Sequence, residues 1–573
     1  MLRQNNFTPE IKHFDTDILI IGGGTAGCFA AVEVRKHSPD ASITIMEKAH
    51  VARSGACSAG LDAINTYIPP DKTPEDLVRW CRDQVGGGPL REDLALNNAR
   101  ELNDAVDDLE RWGLPFLRDE NGKIRYRGQW DISIHGEQLK PIMAEQAAKA
   151  GAAIHNRVTA TQLMVSGGKC SGAIGFSVRT GALHVYRAKS VIVATGGACG
   201  LYKSYTADAT SSHHQTWMCP YCVGTGYAIG IRQGAEMTSM EQRWVATRSK
   251  DFCGPIDTIS VGYKAPIINA RGEKIMQHYA HLGGDAAPRY IRANAPMEEW
   301  LAGRAPTYCD TRHLSQEQAH EMLVDYLNER PSFVLYLAAR NQDVTKEPIE
   351  IYGSDPYIVG GHTQSGFWVD IGMMTTLPGL FAAGETAGGH PNKFVGGCAA
   401  DGKIAARSAL KYIRDIDFAP IEQNALNREA ERIFAPKLRA DSGEDGITPV
   451  EMEERMQRLM DEYAGGVSQF YRTNEERLDY ALKELARLKQ QVHFLKAVDW
   501  HELMLAHDVI DRLDVAEVLC HHLKSRKETR WPGWQTRSDY PEINPELNCF
   551  IESVMNPETG EIKTFTRPYE RLV

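Results

Sequence analysis

The sequence has little that would place the protein in a membrane or on a nucleic acid. Its 573 residues contain no apolar run of the roughly 18 residues that a membrane-spanning helix requires. The N-terminal stretch MLRQNNFTPEIKHFDTD has neither a continuous apolar core nor a small-residue cleavage site, so we expect no signal peptide. A formal net charge of −11 disfavours a nucleic-acid backbone as the main partner but permits local basic pockets for anions. We therefore expect a cytoplasmic protein with a small-molecule ligand.

The sequence also lacks the pattern of a disulfide framework, because its twelve cysteines are scattered along the chain. Only Cys219 and Cys222 form a C-x-x-C, in MCPYC, and such a pair is either redox-active or half of a metal site. No second pair follows at the spacing of a metal site, and no run of four cysteines is available for an iron–sulfur cluster. The sequence therefore predicts no metal in this chain and assigns any cluster to a partner.

The first fifty residues contain a nucleotide-binding pattern. The apolar stretch DTDILII predicts a strand that leads into GGGTAG and then into the helical stretch CFAAVEVRKH. Gly22, Gly24 and Gly27 form G-x-G-x-x-G, in which glycines allow a tight turn and close approach to a pyrophosphate at a helix N-terminus. Glu47 ends the second strand, twenty residues after Gly27, where a carboxylate reaches ribose hydroxyls. The pattern predicts a bound dinucleotide.

Three later stretches extend this pattern, namely Arg53-Ser54-Gly55, Ala194-Thr195-Gly196-Gly197 at the end of a buried strand, and Gly384-Glu385. The combination resembles the flavoprotein subunits of the succinate dehydrogenase and fumarate reductase superfamily. The resemblance implies FAD, extended across the domain with its isoalloxazine ring beneath an inserted capping lobe. The predicted cofactor-binding residues are Gly22, Gly24, Gly27, Glu47, Lys48, Ser54, Gly55, Ala194, Thr195, Gly196, Gly384 and Glu385.

The predicted fold class is α/β, with a doubly wound FAD-binding (GR2/Rossmann-like) domain, an inserted α+β capping domain and a helical C-terminal domain. Apolar residues at 3.6 spacing, as in NEERLDYALKELARLKQQVHFL, indicate the helical region. The expected boundaries are 1–235 and 351–415 for the FAD domain, 236–350 for the capping domain, 416–525 for the helical domain and 526–573 for a tail.

Nine stretches along nearly the whole chain, in the same order, are similar to the alpha subunits of dissimilatory adenylylsulfate reductases. Among them are ARSGACSAGLDAINTY, GQWDISIHGEQLK, TWMCPYCVGTGYAIGIRQGAEM, GSDPYIVGGHTQSGFWV and ETRWPGW. The family resemblance implies reduction of adenylylsulfate to sulfite and AMP, or the reverse reaction. It also implies a hetero-oligomer with a small ferredoxin-like subunit whose [4Fe-4S] clusters carry the electrons.

Two further expectations concern the cofactor and the partner. Superfamily members that attach FAD covalently use a histidine near the R-S-G segment, and ARSGACSAG has none after Arg53, so we predict non-covalent FAD. Trp531 and Trp534, in RWPGW, are a candidate docking surface for the partner, with a packed corner of the core as the alternative.

The segment MEQRWVATRSKDFCGP contains two arginines, Arg243 and Arg248, in the region where fumarate reductases carry His-Pro-Thr-Gly. Guanidinium groups bind oxyanions bidentately and stay charged at any working pH. By the family resemblance, Arg248 would be a catalytic residue that holds the sulfate–phosphate end, and Arg292 would bind a second anionic group. Arg243 is a further candidate substrate-binding residue. The remaining implied contacts are Trp217 with the adenine and Asn65 and Glu137 as polar groups. The alternative for Glu137 is a helical pair with Lys140.

The chain departs from the family at its expected site histidine, in G-H-K-F-S-S-G. Here the sequence reads GGHPNKFVGG, which puts Asn392 in the place of the histidine and His390 two residues upstream. Asparagine forms hydrogen bonds but carries no proton at neutral pH, so His390 and Asn392 are both candidate catalytic residues.

Three functions therefore stay open from the sequence. The first is adenylylsulfate reductase activity, and the second is action on another anion, such as a dicarboxylate, a sulfur oxyanion or a sulfonate. The third is a flavin electron-transfer subunit without its own catalysis.

Overall fold

A computed structural model of the chain describes residues 9–59, 61, 63–67, 71–126, 130–204, 218–252, 254 and 256–573. Its strands are β1 (Ile11–Ile21), β2 (Ile43–Glu47), β3 (Ala63–Asn65), β4 (Asp131–Ser133), β5 (Ala153–Asn156), β6 (Val158–Ser166), β7 (Lys169–Ser177), β8 (Leu183–Val193), β9 (Met237–Thr238), β10 (Thr247–Ser249), β11 (Ile267–Ile268), β12 (Thr307–Cys309), β13 (Ile349–Gly353), β14 (Gly366–Phe367), β15 (Leu380–Ala382), β16 (Arg472–Thr473), β17 (Thr536–Arg537), β18 (Cys549–Met555) and β19 (Ile562–Pro568).

The helices follow the same chain order. They are α1 (Thr25–His37), α2 (Pro74–Gln84), α3 (Glu92–Arg111), α4 (Leu139–Lys149), α5 (Thr225–Ile231), α6 (Arg289–Leu301), α7 (Gln316–Glu329), α8 (Pro331–Ala339), α9 (Phe394–Tyr412), α10 (Gln423–Ser442), α11 (Pro449–Tyr463), α12 (Glu475–Gln491) and α13 (Trp500–Ser525).

The main sheet has the strand order β5-β2-β1-β8-β7-β6, and β15 also pairs with β8. Strands β5, β2, β1, β8 and β15 are parallel, whereas β7 runs antiparallel to both of its neighbours, β8 and β6. The half of β1 from Ile18 to Ile21 is buried, as expected for a strand covered on both faces. Helices α1 and α9 pack against each other beside this sheet. The predicted α/β class with a doubly wound FAD-binding domain is confirmed.

The capping region has its own antiparallel sheet, ordered β10-β13-β12-β11, and its own buried core. Helix α7 begins at a capping box in which the Ser315 hydroxyl accepts from the Gln318 N–H at 3.1 Å. Strand β13 spans residues 349–353, so the expected domain boundary at residue 350 falls within it. The domain boundaries stay a prediction.

The helical C-terminal region is present as α10 to α13, as the 3.6-residue spacing predicted. On α12, Leu478, Ala481 and Leu485 are buried along one face. Helix α13 is joined to the FAD domain by an ion-pair cluster, because Arg232 beside α5 contacts both Asp511 and Asp514 at 2.7 Å. Across the described parts of the chain, none of the helices combines the length and apolar character of a membrane span.

The tail is part of the fold. Strands β18 and β19 form a hairpin, and β18 pairs with β9, about three hundred residues earlier, in a sheet ordered β14-β9-β18-β19. The candidate docking surface at Trp531 and Trp534 is wrong, because these side chains are 0% and 2% exposed. The indole N–H of Trp531 donates to the Val85 carbonyl at 3.0 Å, and both rings belong to the core of the capping region.

We predict that Trp531→Ala lowers the stability of the isolated chain by about 3–5 kcal/mol, because it leaves a large cavity in a closed core. The fall in the melting temperature measures the effect. Phe494→Ala is the control, since that ring is 45% exposed, and it should change the melting temperature little. An unchanged melting temperature for Trp531→Ala would mean that the ring does not support the fold.

Candidate active site

The turn between β1 and α1 is the base of a large cavity. At Gly22, with φ of 101°, a Cβ atom would lie 2.5 Å from the carbonyl oxygen of Ala194, and at Gly27 it would lie 2.0 Å from the Gly22 oxygen. Only glycine fits either position. Gly24 and Thr25, at the start of α1, line the cavity. The first turn of this helix can therefore offer N–H groups to phosphates.

Glu47, at the end of β2, lies in the cavity wall with its carboxylate held by the backbone. Its Oε2 accepts from the Gly23 N–H and its Oε1 from the Ala49 N–H, both at 2.8 Å. Its neighbour Lys48 also lines the cavity and forms an ion pair with Asp508 of α13. This end of the cavity has the carboxylate that a ribose requires.

The predicted cofactor residues converge on this one cavity. Those that line it are Gly22, Gly24, Glu47, Lys48, Ser54, Gly55, Ala194, Thr195, Gly196, Gly384 and Glu385. Gly27 lies behind the lining, where its role is the close packing of α1 against the turn. Within the described ranges, no group of three or more His, Cys, Asp or Glu side chains could hold a metal ion. The glycine turn, the carboxylate and the helix N-terminus fit an extended FAD.

The cavity wall also carries a buried carboxyl group, Glu385. Burial raises the pKa of Glu385 to about 7, against the opposing effects of Lys393 and of a hydrogen bond from the Gly197 N–H. Lys393 itself is buried and donates to the Ala387 carbonyl, and burial lowers its pKa. Near neutral pH, Glu385 therefore exchanges between a neutral and a charged form within the cavity wall.

Side chains from the capping region close the cavity above this base. The lining residues from the capping region that sequence reasoning did not assign to the site are Trp244, Asp257, Thr258, Arg289, Glu329 and Arg330. Outside that region, His362, Phe394 at the start of α9 and Asp131 of β4 line the same part of the cavity. Arg289 begins α6, and Arg330 separates α7 from α8. His362 lies in GGHTQSG, one of the stretches that carried the family resemblance, so this signal was present in the sequence.

The rings of this upper wall pack around His362. Its ring centroid lies 4.4 Å from that of Trp244 and 4.9 Å from that of Phe394, while the Arg289 guanidinium carbon is 5.1 Å from the Phe394 centroid. Burial, with Arg289 in addition, lowers the pKa of His362 to about 3. The imidazole is therefore neutral at physiological pH and acts as a hydrogen-bonding group.

Arg292 is not part of the described cavity lining, but it pairs with Asp257, which is. Its Nη1 lies 2.6 Å from Asp257 Oδ1, and its Nε donates to the Ala287 carbonyl at 3.1 Å. Burial raises the pKa of Asp257, but Arg292 and Arg289 outweigh it, so the net pKa is below its usual value. Asp257 is thus an ionised carboxylate at the upper wall that pairs with Arg292 and lies close enough to Arg289 for that charge to lower its pKa.

Asn65, at the end of β3, lines the cavity with an oriented amide. Its Nδ2 donates to the Asn392 carbonyl and its Oδ1 accepts from the Gly396 N–H, both at 3.0 Å. These two bonds tie the segment around Asn65 to the start of α9. Of the predicted catalytic residues, Asn65 is the one that the described cavity lining includes.

Arg243 and Arg248 are both buried but have different surroundings. Arg243 donates to the Trp534, Ala464, Gly465 and Tyr471 carbonyls and to the Tyr202 hydroxyl. Arg248, on β10, donates from Nε to the Gly353 carbonyl at 3.1 Å. Burial raises the pKa of Asp355 to about 6, and the nearby Arg248 opposes that rise. Neither arginine belongs to the described cavity lining.

Three other predicted residues also lie outside the described lining. Glu137 is exposed on a short 3-10 turn, and Lys140 donates to the Gly23 carbonyl instead of pairing with it. His390 is buried with its Nε2 3.9 Å from Asp401 Oδ1, and burial and Lys393 lower its pKa well below the usual value. Asn392, with φ of 61°, donates to Cys81 Sγ at 3.4 Å. Trp217 lies outside the described residues.

Comparison with known proteins agrees with this site. Residues 17–400 match the FAD binding domain family, so the chain belongs to that family of flavoproteins and is an FAD-dependent oxidoreductase. The predicted resemblance within it is confirmed by a curated relative. Adenylylsulfate reductase subunit alpha of Megalodesulfovibrio gigas is 29% identical over 649 residues, covering 99% of this chain and 97% of that protein.

Two solved structures are similar over the same length. They are adenylylsulfate reductase from Archaeoglobus fulgidus and an adenosine-5-phosphosulfate reductase in complex with sulfite as a covalent adduct. Each has a TM-score of 0.93 and 35% identity, and each comparison covers 98% of this chain and 97% of the other. The chain is thus a full-length homologue of adenylylsulfate reductase alpha subunits.

We predict that Gly27→Ala abolishes flavin retention, because the added methyl group would overlap the Gly22 carbonyl and displace α1 from the turn. Flavin absorbance per chain after gel filtration measures the effect. Gly262→Ala is the control, since its Cβ would have only one neighbour, at 4.0 Å. Full flavin content in Gly27→Ala would contradict the assignment of this turn to the cofactor.

We predict that Glu385→Gln flattens the pH dependence of the melting temperature of flavin-free protein. A carboxyl whose folded pKa is raised from 4.5 to about 7 favours the folded state at low pH, and this contribution is lost as the pH rises through that window. As the pH rises from 4.5 to about 7, the melting temperature of the wild type should therefore fall more than that of the variant. The exposed Glu558→Gln is the control, and a parallel profile for Glu385→Gln would refute the expectation.

Proposed function

We propose that the chain is the flavoprotein subunit of an adenylylsulfate reductase, which reduces adenylylsulfate to sulfite and AMP or runs the reverse reaction. Similarity to adenylylsulfate reductases over both full lengths supports the reaction class. The observation that carries the proposal is the upper wall of the cavity, where Arg289 and Arg330 face the same space as His362 and Phe394. Cationic groups beside aromatic walls suit an anion that carries a planar base.

The chain's own residues would bind and orient the substrate. FAD, when bound, supplies the two-electron chemistry. Arg289, positioned against Phe394 and beside the ionised Asp257, presents a guanidinium to negative charge that develops on the substrate. The neutral His362 donates or accepts a hydrogen bond and carries no charge of its own. Asn65 adds an amide whose direction is set by Asn392 and Gly396.

The predicted substrate roles of the other residues are refined by where they lie. Arg292 acts through Asp257 as a positioning residue. Arg248 stays a candidate for the sulfate–phosphate end, because it is buried beside Asp355 and its guanidinium stays charged at any working pH. Arg243 and Glu137 are assigned no substrate contact in this proposal. His390 and Asn392 lie outside the described cavity lining and would act without touching the substrate.

The proposal includes non-covalent FAD and an iron–sulfur partner. We infer that electrons pass one at a time through the [4Fe-4S] clusters of a small ferredoxin-like subunit in a cytoplasmic hetero-oligomer. This inference rests on the homology to adenylylsulfate reductase alpha subunits. Denaturation and filtration should release the yellow colour, whereas a flavin-sized mass left on the chain would show a covalent bond.

We predict that Arg289→Gln lowers AMP- and sulfite-dependent reduction of an artificial electron acceptor by about a hundredfold, as when one charge-stabilising donor is removed from a buried site. The initial rate under saturating AMP and sulfite measures the effect. Arg340→Gln is the matched control in the capping region, because that side chain is 49% exposed and pairs with Asp251. Fumarate reduction without any response to sulfite and AMP would overturn the proposed substrate.

A further inference from the structure

The C-x-x-C pair that the proposed reaction does not use lies in a tight turn at the edge of the cofactor cavity. The Cys222 N–H donates to the Cys219 carbonyl at 3.0 Å, which closes the turn CPYC and brings the two side chains together. Pro220 and Tyr221, in the middle of the turn, are exposed, whereas Cys219 is half-buried and Cys222 is buried. Cys219 is thus the more exposed of the two cysteines.

The two thiols differ in their protonation. The Cys222 thiol and the N–H groups of Tyr221 and Gly55 lower the pKa of Cys219 below its usual value, although burial and Glu47 oppose the shift. The same hydrogen bond and burial raise the pKa of Cys222 well above its usual value. A partly exposed thiolate beside a protonated thiol is the arrangement of reactive dithiols.

Several other cysteines are buried and have a raised thiol pKa. Burial raises the pKa of Cys81, Cys170 and Cys520 to about 12, so these thiols are protonated and inert at neutral pH. The turn therefore contains a thiol that differs from its counterparts in the core by both accessibility and charge.

Both cysteines of the turn line the cofactor cavity. A Cβ atom at Gly196 would lie 3.2 Å from Cys222 Sγ, and Gly55, whose N–H bonds Cys219, lies against the Gly24 backbone at the glycine turn. The ammonium group of Lys48 donates to the Tyr221 carbonyl at 3.4 Å and joins the turn to the strand end that carries Glu47. The dithiol is therefore built into the cavity wall rather than attached to a loose segment.

We propose that Cys219 and Cys222 form a thiol–disulfide exchange site that takes low-molecular-weight disulfides. The Cys219 thiolate attacks one sulfur of the small disulfide and releases the other half as a thiolate, which leaves a mixed disulfide on Cys219. Cys222 then loses its proton and attacks Cys219 Sγ, which releases the second small thiolate and closes the Cys219–Cys222 bond. The chain's dithiol is oxidised by two electrons, and the small disulfide is reduced to two thiols.

The direct test uses the full-length, flavin-loaded protein and glutathione disulfide as the probe at pH 7. Tryptic peptide 204–232 contains both sulfurs and no other cysteine, so its mass reports the bond directly. We expect it to become lighter by two hydrogen atoms on treatment and to recover its mass with dithiothreitol. A peptide that keeps its reduced mass while the protein stays folded would overturn the proposal, and this measurement needs no variant.

Variants separate the two steps. Cys222→Ser should hold glutathione on Cys219 as a stable mixed disulfide, and Cys219→Ser should remain unmodified in the same peptide. Cys199→Ser is the matched control, because Cys199 is buried and its N–H donates to the Cys222 carbonyl at 2.8 Å. It should close the Cys219–Cys222 bond like the wild type. Failure of the bond to form in Cys199→Ser, or no glutathione on Cys222→Ser, would overturn the assignment of the two roles.

The rate at which the Cys219 thiol is alkylated is a second, independent test of the proposal. In the native protein at pH 7, iodoacetamide should label Cys219 at least about a hundredfold faster than Cys170, since the larger thiolate fraction outweighs the lower intrinsic nucleophilicity of the more acidic thiol. Equal labelling rates for Cys219 and Cys170 would count against an exchange site in the turn.

Discussion

The close approach of backbone to backbone at the glycine turn is the constraint on which the site depends. Gly22 lies against the Ala194 carbonyl and Gly27 against the Gly22 carbonyl, so any side chain at either position would push α1 away from the sheet. With α1 in place, its first turn, Glu47 and the end of β8 surround one cavity. Strand β15 pairs with β8 and brings Gly384 and Glu385 to the same cavity, with Gly384 beside Ala26 in the first turn of α1. The cofactor site is thus a consequence of sheet packing.

The parts of the molecule that could be predicted from the sequence are those with a local cause. A strand, a glycine turn and a helix follow one another within about thirty residues, and each constrains the next through its own backbone geometry. Glu47 and Gly384-Glu385 could be placed because they end parallel strands, whose carboxyl ends meet at one edge of the sheet. Buried faces at helical spacing likewise indicated α10 to α13.

The upper wall of the cavity could not be derived in this way, because its residues come from distant segments that meet only in the folded chain. Arg289, Arg330 and His362 share no spacing rule, although His362 lay within a stretch that resembled the family. Whether an arginine lines the cavity or bonds to protein carbonyl groups depends on which hydrogen-bond acceptors the fold places around it. Arg243 meets carbonyl groups from the helical region and the tail, and Trp531 is enclosed by the capping core. Neither environment is visible in the neighbouring sequence.

The pairing of β9 with β18 also determines the order in which the sheets can form during translation. Met237 and Thr238 leave the ribosome long before Cys549–Met555, so the sheet that contains both can close only after about three hundred further residues have been translated. The β8–β15 pairing is complete much earlier, once residue 382 has emerged. The flavin domain can therefore assemble on the nascent chain, while the edge of β9 that pairs with β18 stays unpaired until β18 has been translated.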